Sequence, residues 1–263
     1  MEGTHQDGEA TLFSDLADTD IIEGMTILLY QTDAYLKEFS ATITSVDVET
    51  RTVVLDRSAF YPGGGGQPCD FGTLEVAGVS YPVVKVKKQG DDVLHFLGGT
   101  DPLPVPNSTG NVTLDWVRRY QLMRTHTALH ILCGTVFRDH GAKVTGGDMD
   151  PLKGRMDFEF ENMRGELVKA IEAATNLEVE KKREIKVKIL PREEAFQIPD
   201  LIRTKINLLP EGIMQVRTVE IAGLDLQADG GTHVRNTSEV GKIKVVDYKS
   251  KGAINKRIYI EVE

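Results

Sequence analysis

Apolar and polar positions along this chain fall into two regimes. From Met25 to about Trp116 the apolar residues come in short β-type runs separated by turn residues. The regular pattern begins at Met25–Tyr30, and the runs are Ala41–Val48, Thr52–Asp56, Gly72–Val76, Tyr81–Lys87, Val93–Leu97 and Asn111–Trp116. Strands this short and this closely spaced predict a small antiparallel barrel or sandwich. Pro102–Gly110, with three prolines, reads as the loop before the last strand.

The period changes at Val117. Arg118 to about Arg138 follows a helix pattern, and Gly141 is the expected stop. Thr145-Gly-Gly147 reads as a turn, and Gly154–Phe160 alternates like a strand. A second helix is predicted from a stripe of Met163, Leu167, Ile171, Ala174 and Leu177. Its basic end, Lys181-Lys-Arg183, suits the negative pole of a helix dipole. Further strands are expected at Glu184–Leu190, Met214–Ile221, Ile243–Tyr248 and Arg257–Val262. Two helices among strands that need not be parallel point to α+β. The expected organisation is an acidic, flexible extension over 1–24 with a helical turn near Leu12–Leu16, a β-barrel domain over 25–116, and an α+β domain over 117–263. In the last, helices pack on an antiparallel sheet.

Composition narrows the functional classes. With 263 residues, 40% of them hydrophobic, the chain can bury a sizeable core. No apolar run is long enough for a membrane-spanning helix. Met1–Gly24 has no Lys or Arg and no continuous apolar stretch, so it is not expected to be a secretory signal. The two cysteines, Cys69 and Cys133, lie in unlike contexts, which argues against a disulfide framework and for a reducing, cytoplasmic compartment. The net charge of −9 is uneven: residues 1–24 hold seven acids, and without them 31 basic residues face 33 acidic ones. Gly241–Glu263 carries a local +3, compatible with phosphate contacts.

The candidate chemistry centres on Arg124–Gly134. His126 and His130 stand four residues apart and leave one face of the predicted helix, a spacing that lets two imidazoles reach one metal ion. Asp229-Gly-Gly-Thr-His233 offers two more ligands on a turn without Cβ atoms at its centre. Taken singly, each stretch has a plainer reading: a half-buried helix face, and a hairpin turn. Cys133 lies about 10.5 Å of helical rise from His126 and reads as a small buried apolar residue. No His-Glu-x-x-His is present, because Thr127 follows His126. Phe60-Tyr-Pro-Gly-Gly-Gly-Gly-Gln-Pro68 brings four glycines together. It is not a P-loop, so ATP is not an expected ligand, and a flexible hairpin tip remains open.

Together, His126-x-x-x-His130, Asp229-Gly-Gly-Thr-His233 and Gly241-Lys-Ile-Lys244 resemble the editing domain shared by alanyl- and threonyl-tRNA synthetases. The glycine-rich stretch with Asp70-x-Gly72 looks like the part found with the alanyl branch. The resemblance, over about 25–263, is to the free-standing alanyl-tRNA editing family AlaX in its medium-length form. It implies a trans-acting, cytoplasmic hydrolase that deacylates tRNA(Ala) mischarged with serine, in some members glycine. It also implies one zinc ion per chain, with His126, His130 and His233 as ligands. The wider family commonly carries Cys-Gly-Gly-Thr-His; here Asp229 stands in the cysteine's place, a harder ligand.

Substrate contacts are expected from Thr145 or, second, Thr127 to a serine hydroxyl. Gly63, Gly64, Gly65, Gly66 and Gln67, with Thr232, are expected around the pocket. Lys242, Lys244, Lys251 and Arg257 are candidate tRNA phosphate contacts, with solvated strand edges as the plainer reading. The second functional class is a zinc-containing tRNA-binding or regulatory module without editing activity. The sequence leaves the oligomeric state open.

Overall fold

The computed structural model describes residues 25–204, 209 and 212–263. The acidic stretch 1–24, with the turn expected near Leu12–Leu16, lies outside the described residues.

The chain enters through β1 (Ile27–Leu28) and a 3-10 turn at Leu29–Gln31. It then forms β2 (Glu38–Asp47), β3 (Thr52–Leu55), the short β4 (Arg57–Ser58), β5 (Gly72–Val76), β6 (Val79–Gln89), β7 (Asp92–Leu97) and β8 (Thr109–Leu114). β1 runs parallel to β4. The others close an antiparallel barrel in the order β2-β3-β7-β6-β5-β8, with β8 pairing back onto β2. Alternation decides the interior: Ile43, Val53, Leu74, Val93 and Val112 point in and are buried. His95 occupies an inward position of β7 that the alternation would give to an apolar residue. It is buried, with Ser58 Oγ 2.8 Å from Nε2 and the Val53 carbonyl 3.3 Å from Nδ1. Burial lowers its pKa to about 4, so the imidazole is neutral.

Beyond the barrel lies α1 (Trp116–His140), then β9 (Val144–Asp150), β10 (Lys153–Glu159), α2 (Gly165–Glu180), β11 (Ile185–Pro191), α3 (Arg192–Ala195), β12 (Gln215–Ile221), β13 (Asp225–Ala228), β14 (Ile243–Ser250) and β15 (Asn255–Val262). Two antiparallel sheets form, β14-β15-β10-β9 and β11-β12-β13. The Asp115 side chain caps α1 by accepting from the Arg118 amide, and Gly141 ends it at φ 64°. The middle of α1, Thr125 to Val136, is buried all round, because α2, β9, β10, β13 and β15 pack on it from several sides. The fold is thus α+β with an N-terminal six-stranded barrel.

Three local expectations change, and one strand is new. Of Met25–Tyr30, only Ile27–Leu28 pairs as a strand. Thr145-Gly-Gly147 is not a turn but part of β9, held by pairing with β10. On α2 the buried face is Val168, Ile171, Thr175, Glu178 and Val179, while Leu177 is exposed. The four-residue strand β13, too short to show a period, carries the chain into the Asp229 turn.

Lys181 and Arg183 do sit at the end of α2, where both pair with the buried Glu178 carboxylate at 2.7 Å.

Candidate metal centre

The central part of α1 presents His126 and His130 toward the turn that follows β13, and Asp229 and His233 on that turn face them. The four donor atoms lie within 4.8 Å of one another. The three imidazole centroids are 4.2 to 4.9 Å apart. His126 Nε2 is 3.6 Å and His130 Nε2 4.0 Å from Asp229 Oδ1, and His233 Nε2 is 3.0 Å from Asp229 Oδ2. Donors about 2.0–2.1 Å from a tetrahedral zinc would stand roughly 3.3 Å apart, so small rotations would seat such an ion.

Each imidazole is held from behind at Nδ1, by a different partner. Gln67 Oε1 accepts from the Thr232 amide at 3.0 Å, which fixes the orientation of its side-chain amide. His126 Nδ1, also 3.0 Å from that oxygen, must therefore carry the proton, and its Nε2 is free to bind. His233 Nδ1 lies 3.1 Å from Thr127 Oγ1, and His130 Nδ1 3.4 Å from Asp225 Oδ2. Asp229 is held in turn: its Oδ2 accepts from the Gly231 amide at 2.9 Å, and Arg217 Nη1 donates to its carbonyl at 2.9 Å. The turn demands glycine at 231, where a Cβ would stand 2.3 Å from His126 Cε1.

The electrostatics suit a cation. Burial holds His126 well below its ordinary value, against the pull of Asp229. It takes His233 to about 4 despite the hydrogen bond to Asp229. Neutral imidazoles are the ligating form. For His130 burial also opposes charge, but the hydrogen bond to Asp225 and the nearby Asp229 and Asp225 charges outweigh it and raise the pKa. Burial works to raise the Asp229 carboxyl, yet His126 and His233 hold it well below its usual range. The residues present therefore fit a metal ion.

The centre forms one wall of a cavity of about 540 Å³, in the size range of small-molecule sites. Gly65 and Gly66 line it, as do Thr145 to Asp148 from β9 and Arg203. Gly63 to Gly66 all have positive φ, between 58° and 128°, a path that glycine follows without strain. Gly66 approaches Gly147 so closely that a Cβ would lie 2.9 Å from its carbonyl oxygen.

The residues expected at the substrate separate into two groups. Thr145, Gly65 and Gly66 line the cavity. Gln67, Thr127 and Thr232 are buried behind the histidines, and Gly63 and Gly64 are not among the lining residues. Thr127 faces inward from α1 and contacts His233. None of the four basic candidates lines the cavity. Lys244 pairs with Glu263, Arg257 donates to both Asp157 oxygens at 2.6 and 2.8 Å, and Lys242 and Lys251 are exposed. Sequence reasoning missed Asp225, Arg217 and Arg203. None carries a spacing signal, although Asp225 lies four residues before Asp229, on the short strand entering the turn.

Two family models match: the threonyl and alanyl tRNA synthetase second additional domain over residues 216–259, and class II (A) tRNA synthetases over 9–111. The second begins inside the acidic stretch, before the Met25 start expected from the motifs. The alanyl-tRNA editing protein AlaX-M of Saccharolobus solfataricus is 41% identical over 241 residues, 91% of this chain and all of that protein. The chain belongs to the AlaX-M family of alanyl-tRNA editing proteins. The AlaX-M of Methanosarcina mazei is 36% identical over 90% of this chain and 97% of its own. The alanine–tRNA ligase of Ignicoccus hospitalis is 37% identical over 83% of this chain, which spans 24% of that larger enzyme. No described helix is long and apolar enough to cross a membrane.

Proposed function

We propose that this AlaX-M protein is an aminoacyl-tRNA hydrolase that binds one zinc ion per chain and deacylates Ser-tRNA(Ala), with Gly-tRNA(Ala) as a further substrate. The observation that carries this is the convergence of three imidazoles and the Asp229 carboxylate, with His126, His130 and Asp229 lining a cavity that Thr145 also lines. In this reading residues 25–116 and 117–263 are two domains sharing the site, since Gly66 and Gln67 come from the barrel side and the ligands from the other.

An aminoacyl ester is an activated acyl group, so its hydrolysis needs a placed water, a route for its proton and stabilisation of a developing oxyanion. Zinc held by His126, His130, Asp229 and His233 would supply Lewis acidity for this step. The chain keeps His126 in the ligating tautomer through Gln67, Thr127 orients the His233 ring, and ionised Asp229 lowers the net charge of the site. Thr145 Oγ1 donates to Asn255 Oδ1 at 2.9 Å and keeps lone pairs to accept from a serine hydroxyl. A hydroxyl matched in this way is how a site separates serine from alanine. The Cys133 thiol lines the same cavity, but burial pushes its pKa far up, which disfavours a thiolate nucleophile near neutral pH.

The test is direct. Purified protein with zinc is mixed with Ser-tRNA(Ala) and, separately, Ala-tRNA(Ala), and loss of each ester is followed. Rapid loss of the seryl ester only is expected, and His126→Ala should abolish it together with bound zinc. Ser-tRNA(Ala) that outlasts the assay as it does in buffer, with zinc bound, would leave the second reading: a tRNA-binding module in which aspartate in the cysteine's place has ended editing.

A further inference from the structure

We propose that Arg203 is a substrate-positioning residue that receives a phosphodiester of the RNA 3′ end. The inference rests on the reading of the cavity as an aminoacyl-tRNA site. Arg203 is the one Lys or Arg among the described residues lining that cavity. Its side chain is only 12% exposed. The guanidinium lies 3.9 Å from the Phe137 ring of α1, and Nε donates to Asp225 Oδ1 at 3.3 Å. Nη1 is buried and has no hydrogen-bond partner among the described residues; the exposed Asp200 carboxylate stands 3.9 Å away. A buried guanidinium nitrogen without an acceptor is costly, so the side chain is held here at a cost in stability.

The backbone carrying Arg203 is pinned. The Val144 amide donates to the Arg203 carbonyl at 3.2 Å and the Ala228 amide to the Leu201 carbonyl at 3.1 Å. Thr204 also bridges to Val144. The arginine is therefore presented between β9 and β13 rather than on a free surface. Charge selects which part of the ligand it meets. The aminoacyl end carries an α-ammonium, which a guanidinium repels, whereas the adjoining nucleotides carry phosphodiesters, which it binds through charge-assisted hydrogen bonds. The stack on Phe137 and the bond to Asp225 fix the guanidinium, and the part of the side chain exposed at the cavity is left to meet that oxygen. Lysine would lack this fork, so the role is specific to arginine.

The experiment uses the full chain, its bound metal, and an acceptor-stem hairpin of tRNA(Ala) with a single-stranded 3′ end. Each of the last three phosphodiesters is replaced in turn by an uncharged methylphosphonate, and affinity is read by fluorescence anisotropy across a salt series. One replacement should weaken binding to the wild-type chain about tenfold. Arg203→Met should lose the same factor, keep its metal content, and be indifferent to that replacement. Its log–log salt slope should be shallower by about 0.7, one single-strand phosphate contact. Arg203→Lys should recover only part of the loss. Losses that multiply between the RNA change and Arg203→Met would overturn the proposal. So would unchanged affinity of the variant, or loss of metal in the variant with RNA binding intact, which would confine Arg203 to holding Asp225. The RNA replacements read the contact on the wild-type chain even if a variant fails to fold. A wild-type chain that neither binds the hairpin nor deacylates its seryl ester would count against the hydrolase reading itself. Deacylation by Arg203→Met at wild-type KM would count against Arg203 alone.

Discussion

The histidines of the candidate metal centre are held from behind by hydrogen bonds. Gln67 reaches His126 from the barrel side, and the Thr232 amide fixes its orientation. Gln67→Leu removes the acceptor that holds the His126 tautomer and should weaken zinc binding tenfold to a hundredfold, roughly the usual effect of losing such a partner, as read by competition with a chelating dye. Equal zinc affinity in the variant would show that the histidine needs no support. His95 shows the same economy of polar groups in the barrel core. Its folded pKa of about 4 lies below the ordinary 6.5, so between these values the unfolded chain takes up the proton first. Stability should therefore fall as pH drops from 6.5 to 4 and level off below, with His95 contributing about 3 kcal/mol of the fall. Urea unfolding of wild type and His95→Gln across that range reads the difference directly. At this scale the sequence displayed the ligand spacing, but not the partners, because Gln67, Thr127 and Asp225 meet their histidines only across the fold.

Among the elements, the turn after β13 and the strand β9 decide the shape of the site. Gly231 lets the turn close against α1: Gly231→Ala would place a methyl 2.3 Å from His126 Cε1 and 2.7 Å from Gln67 Oε1. The variant should keep its circular dichroism and melting cooperativity but lose most of its bound zinc, measured by metal analysis after gel filtration. Full zinc content would mean that the turn can move away at little cost. Strand β9 explains one sequence expectation that failed. Thr145-Gly-Gly147 carries turn chemistry locally, yet pairing with β10 extends it and sets Thr145 and both glycines along the cavity. Tertiary pairing overrode local propensity there. The exposed Leu177 is a related case, since an apolar stripe can be drawn through it on α2, while the packed face runs through Thr175 and Glu178.

Across the whole molecule, the barrel and the α+β part are joined through buried polar contacts. Arg119 of α1 and Asp70 of the barrel's glycine-rich segment form an ion pair with no exposed side-chain surface. Arg119 also donates to the carbonyls of Ala34 and Ala59, and the Met149 amide donates to the Gly66 carbonyl at 3.0 Å. Arg119→Met would leave Asp70 buried without its cation and should cost roughly 3–5 kcal/mol in denaturant unfolding. A loss under 1 kcal/mol would show that water or another cation replaces it. The sequence alone determined the two regimes of periodicity, the α+β class, the barrel-or-sandwich character of the first regime, and the two motifs whose side chains meet at the candidate metal centre. These are readable because period and spacing are local properties of the chain. Only the tertiary structure decided that Asp229 faces three imidazoles rather than closing an ordinary hairpin, that Gln67 and Thr127 stand behind those rings, and that Arg203 lines their cavity. Those relations join residues up to 106 positions apart, and nothing in local periodicity encodes such a distance.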